Sequence, residues 1–231
     1  MDLSLDRKTV EERLRNFTAN NYSSIYGILK NVALAIAALV LTTFLQDRAT
    51  LVPRFSFWAA TIAFLTVTHL TAARGVLLAN FRYNWLDFMI PLSMGMVECL
   101  LFYILMPNSA RPQLWLDWYF LAALHMFLAV ILVINRLKLT RVEDFAEDLQ
   151  PLIIRFTSWL RGDAKGAGIC CVITIIIGLV MRLWILPRWP EAEWWQFLCG
   201  LCFISVMCVI VATVERQRKQ IISFIQNQPM T

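Results

Sequence analysis

Six stretches of about 20 mostly apolar residues, the length that crosses a bilayer's hydrocarbon core, set what this chain can become. They run over roughly 27–46, 57–80, 84–106, 114–135, 166–186 and 194–214. Lipid offers nothing to a bare N–H or C=O, so a segment that crosses it must satisfy its backbone internally, as a helix or within a closed barrel. Continuous apolar runs, without strand-like alternation, specify the helix. Charge is scarce accordingly: 16% of the residues are Asp, Glu, Lys or Arg, against about 25% in ordinary soluble domains. The reading is an all-α fold, a polytopic membrane helix bundle with six transmembrane helices and amphipathic cytoplasmic helices. Its parts are a cytoplasmic amphipathic segment (1–26), helices one to four (27–135), an amphipathic loop helix (136–165), helices five and six (166–214) and a cytoplasmic tail (215–231).

Basic residues orient the bundle. Of the 21 Lys and Arg, 15 fall in the N-terminal tail, the corner after the second span, the long loop after the fourth and the C-terminal tail. Arg48, Arg54, Arg111 and Arg188 fall on the other side, and Lys30 and Arg182 near span ends. The excess of positive charge marks the cytoplasmic side, so both termini are expected there, in a cell or inner membrane. Tryptophans collect near the expected outer ends, as indole rings do in the headgroup region. The formal charge of +5 is thereby used for orientation. No basic stripe interleaves with aromatics, and no nucleic-acid partner is expected. The first 24 residues, "MDLSLDRKTVEERLRNFTANNYSS", have no apolar core, so no cleavable signal is expected. All six cysteines lie in apolar runs, which argues against a disulfide framework.

The cytoplasmic side carries a second pattern. "TRVEDFAEDLQPLIIRFTSWLRG" from Thr140 places Phe145, Leu149, Leu152, Ile153, Phe156 and Trp159 at helical spacing. Thr140 and Glu143 stand at capping-box spacing, which predicts a helix start, and Pro151 predicts a kink or a division. The segment is too polar to span and is expected on the membrane surface, apolar side down. Its acidic half, Glu143, Asp144, Glu147 and Asp148, is a candidate docking surface for a cytoplasmic protein partner. The C-terminal tail is expected to prolong the last helix and present Ile221, Ile222, Phe224 and Ile225.

The residues that resist the lipid point to chemistry. A charge at a helix centre costs on the order of 2.5–3.5 kcal/mol on insertion scales. With 1.5 Å of rise per residue, Arg74 and Asp87 sit roughly 8 and 12 Å to the cytoplasmic side of the midplane, flanking one tight turn. Asp117 and Arg182 sit roughly 11 and 9 Å to the outer side, a possible outer ion pair. Glu98 and both histidines of the chain, His69 and His125, share the middle layer. Glu98 and Asp87 stand close to three helical turns apart and share one face with Pro91, Met94 and Gly95. Three roles fit that layer: a buried network fixing helix packing, a proton or ion pathway, or a b-type haem held between His69 and His125. No metal site is expected. The chain has no HExxH, GxSxG or Walker A motif. The leading expectation is a channel or transporter of small ions or protons, possible as a homo-oligomer, with Glu98, His69 and His125 in its polar layer and Asp87 and Arg74 at its cytoplasmic mouth. The alternative is a non-catalytic membrane anchor or assembly partner acting through its cytoplasmic helices.

Overall fold

The computed structural model describes residues 25–46, 48–78, 85–106, 114–188 and 193–227, together with Thr9, with the backbone alone at 25–27, 48–53, 72–78, 87–88, 114–115, 193–195 and 225–227. Among the described residues 93% are helical and there is no strand. The helices are α1 (Ile25–Gln46), α2 (Arg48–Leu78), α3 (Leu86–Tyr103), α4 (Trp118–Leu139), α5 (Gln150–Val180) and α6 (Glu193–Asn227). A 3-10 turn, Leu114–Asp117, leads into α4, and a second, Val142–Asp144, follows it. Beyond Val180 a π-turn, Met181–Ile185, carries α5 on to Arg188.

Among the described residues four helices are long and apolar enough to cross a membrane: Ile28–Gln46, Trp118–Leu139, the run Gln150–Arg188 and Gln196–Phe224. Met89–Tyr103 of α3 is apolar but shorter. Residues 48–56, read as an outer loop from sequence, are instead the first turns of α2. One reason is Arg54, whose Nη1 donates to the Leu105 carbonyl at 3.2 Å. It thereby satisfies an acceptor left over just past the end of α3.

Six serine and threonine hydroxyls are tied down within their own helices, whereas the Tyr119 hydroxyl is buried without a partner. Thr61, Thr66, Thr68, Thr174, Ser205 and Thr213 each donate to the carbonyl four residues earlier. Such hydroxyls cost little in lipid because none is left unpaired. Helices then approach through small residues. Gly200 of α6 lies so close to Ser56 of α2 that any Cβ there would strike the serine side chain. Gly95 of α3 faces Leu29 of α1, where a Cβ would come within 2.8 Å of the Leu29 Cβ. α1 packs on α3, α3 on α4, α4 along α5, and α2 along α6.

The buried side chains fall into two cores. The larger lies among the apolar helices. An aromatic cluster of Phe57, Phe64, Trp118, Tyr119 and Phe203 joins α2, α4 and α6 there, with ring centroids 4.9–6.2 Å apart. Trp118, expected in the headgroup layer, is fully buried. Its indole N–H donates to Thr61 Oγ1 at 2.9 Å, so the polar edge finds its partner inside the bundle.

In the second core the apolar face of the 140–161 segment is covered by neighbouring helices. Phe145, Leu149, Leu152, Ile153 and Phe156 are buried against Val133 of α4 and Ile221 of α6, with Leu137 and Phe224 packed alongside. Burial of each such side chain is worth about 1.5–3 kcal/mol. The tail residue Ile221, expected to be presented outward, is fully buried there. Ile222 is half-buried, and the Ile225 side chain lies outside the described residues. Thr140 ends α4 instead of starting a helix, its Oγ1 donating to the Arg136 carbonyl at 2.8 Å. Pro151 neither kinks nor divides the next helix. It stands in the first turn of α5, where its missing N–H has no intrahelical role.

From Gln150 the 31 residues of α5 continue unbroken to Val180, through the boundary expected near 165. Gly162, Gly166 and Gly168 lie inside this helix, and a Cβ at any of them would meet nothing within 4 Å. Replacing each glycine by alanine is therefore expected to stabilise the protein by about 0.5–1 kcal/mol through the unfolded chain's lost freedom. Denaturant titrations in detergent check this; an unchanged or lowered midpoint would mean that the segment is not helical.

Candidate functional site

Four helices bring polar atoms to one level, and they do so through adjacent residues. On α3, Glu98 is followed by Cys99, whose thiol donates to the Leu29 carbonyl of α1 at 3.9 Å. Gly95, one turn earlier, lies against the same Leu29. The next residue on α1 is Lys30. On α2, the Phe64 ring stands edge-on to the His125 ring of α4, with centroids 5.6 Å apart. The residue after Phe64 is Leu65, and Lys30 Nζ donates to its carbonyl at 2.8 Å.

At the centre of this layer His125 Nε2 lies 3.0 Å from Glu98 Oε1. Glu98 is fully buried, His125 is 2% exposed and Lys30 8%. The Lys30 ammonium is close enough to Glu98 to feel its charge. A carboxylate and an ammonium thus offset each other, and the imidazole holds one carboxylate oxygen. The contact accommodates two protonation states: an imidazole N–H donating to a carboxylate, or a carboxyl O–H donating to an imidazole nitrogen. The other oxygen, Glu98 Oε2, is buried with no hydrogen-bond partner.

The expected middle layer is therefore re-formed. Glu98 and His125 meet, while His69 is exposed on α2. It senses the charge of Lys30 and is not in the pair. His125 Nε2, one of two nitrogens available to a haem iron, is engaged by Glu98. The Arg74 and Asp87 side chains lie outside the described residues. Lys30 is the participant that sequence reasoning missed. It stands just inside the first apolar run, where a lysine reads as a flanking charge. The signal was its position: with helix starting at Ile25, Lys30 is already in the second turn.

Elsewhere, Arg182 Nη1 donates to Asp117 Oδ1 at 3.1 Å, with both side chains largely exposed. This pair ties the π-turn to the N-terminus of α4, where an aspartate also complements the helix dipole. Glu143, Glu147 and Asp148 are exposed on the second core, and Asp144 is half-buried. All six cysteines are free thiols. Among the described residues no three His, Cys, Asp or Glu side chains are grouped to hold a metal ion. No protein-family model matches this chain, and no curated protein or solved structure was found to be similar to it.

Lys30 and Glu98 are opposite charges that act on each other through the interior, and removing one leaves the other less compensated. Lys30→Met should destabilise the bundle by about 1.5–3 kcal/mol, the worth of a charged hydrogen bond such as the one to Leu65, whereas Lys30→Met with Glu98→Leu should recover more than half of the loss. A double-mutant cycle read by denaturant unfolding in detergent measures the coupling. Strict additivity would mean that the two charges do not interact.

Proposed function

We propose that this protein is an integral membrane protein that moves protons, or couples their movement to another solute, through the Glu98–His125 pair. Under this reading all six helices cross the bilayer, with both termini in the cytoplasm. The observation that carries the proposal is the unpartnered Oε2 of a fully buried glutamate. The hydroxyls of Thr61, Thr68 and Thr174 back-bond within their helices, whereas Glu98 Oε2 and the Tyr119 hydroxyl are buried without a partner. A vacant buried acceptor costs about 1–3 kcal/mol, and a proton taken up at Glu98 would relieve that cost. A carboxylate that must take up and release a proton needs such a lone pair. Intramembrane carboxylate and histidine chains are the usual material of proton relays.

The pair is sealed from solvent in this conformation. Exchange with either side then requires a movement that opens one end, and the pair as seen is the occluded form of the site. The two protonation states of the Glu98–His125 contact let the proton pass between carboxyl and imidazole without a third group.

Proteoliposomes with an internal pH dye, driven by an imposed potential, test the reading. The wild-type protein should acidify or alkalinise the lumen with the sign of the potential, and Glu98→Gln should slow that at least tenfold. Wild-type vesicles as tight to protons as protein-free ones would overturn it.

A further inference from the structure

We propose that the ion bound at Glu98 is the proton alone and that Lys30 is the residue that excludes metal cations from the site. The inference rests on the proton-exchange reading and names its ion. Among the described residues the titratable groups facing Glu98 are few. α1 supplies Lys30, α3 itself supplies Cys99 and α4 supplies His125, while His69 of α2 is exposed and feels the charge of Lys30. Glu98 is the one carboxylate among them.

A hard metal cation asks for about six oxygen ligands in near-complete replacement of its water. This site has one free oxygen, Glu98 Oε2. The Leu65 carbonyl of α2 is already taken by the Lys30 ammonium at 2.8 Å. A cation at Oε2 would therefore be under-coordinated and would be repelled by the buried Lys30 charge through a low-dielectric interior. A proton needs one lone pair and no coordination shell. Lys30 is held in place twice. Its ammonium bonds Leu65, and its helix is fixed to α3 by the Leu29 contacts with Gly95 and Cys99. Its charge cannot swing aside to admit a competitor, as an exposed lysine's would.

The test is infrared difference spectroscopy of the full-length protein in lipid nanodiscs, titrated over pH in sodium, potassium, magnesium or choline chloride. A carboxyl band that appears on acidification, is lost in Glu98→Gln and is identical in all four salts is the expected result. In Lys30→Met the carboxylate band should become sensitive to sodium or magnesium and stay insensitive to choline; Lys30→Gln repeats the test if the methionine variant does not purify as a single species. A metal-dependent band in the wild type overturns the proposal, as does a Lys30→Met band that ignores every metal. A wild-type carboxylate that never titrates overturns it as well, since Glu98 would then be a permanent partner of Lys30. The readout needs no flux. Tight proteoliposomes together with a metal-insensitive, titrating Glu98 would reject transport alone, whereas proton flux with a metal-sensitive band would reject this inference alone.

Discussion

Putting a carboxylate where no water reaches obliges the rest of the bundle to compensate it. Glu98 is fully buried on α3, and three further helices are arranged so that α1 brings an ammonium, α4 an imidazole and α2 a backbone carbonyl to its level. The arrangement depends on backbone proximity. Gly95 lets α1 lie against α3, and without that approach Lys30 would stand too far off to offset the charge. The polar layer and the helix packing are therefore one constraint. The charges need the close contact, and the contact is worth its lost side chain because it brings the charges together.

The second core divides the molecule differently. Apolar side chains from the end of α4, the start of α5 and the end of α6 close over one another at one end of the bundle. α5 belongs to both cores, because its 31 residues run from this cluster into the apolar bundle without a break. Glu143, Glu147 and Asp148 are exposed on that core.

Much of this was legible in the sequence, and what was not has physical causes. Helix class followed from run length, and a common depth for Glu98 and His125 from the rise per residue. Azimuth was harder. His69 lies near that depth but points outward, and depth alone does not fix which way a ring turns. Lys30 was hidden by its place near the edge of an apolar run, where flanking and buried lysines look alike. The 140–161 pattern showed an apolar face but not what it meets, since lipid and a neighbouring helix impose the same periodicity. Thr140 fitted a helix start by spacing, yet its hydroxyl bonds back into α4. Trp118 fitted the interface by position, yet Thr61 satisfies its N–H within the bundle.

The central claim is that Glu98 and His125 share a proton that comes and goes. Nitrogen-15 magnetic resonance of the His125 imidazole in bilayers tests it most directly. The account predicts that both ring nitrogens change shift together across a pH titration and that Glu98→Gln moves or abolishes that transition. A ring locked in one tautomer from acid to alkaline pH, and indifferent to Glu98→Gln, would contradict it.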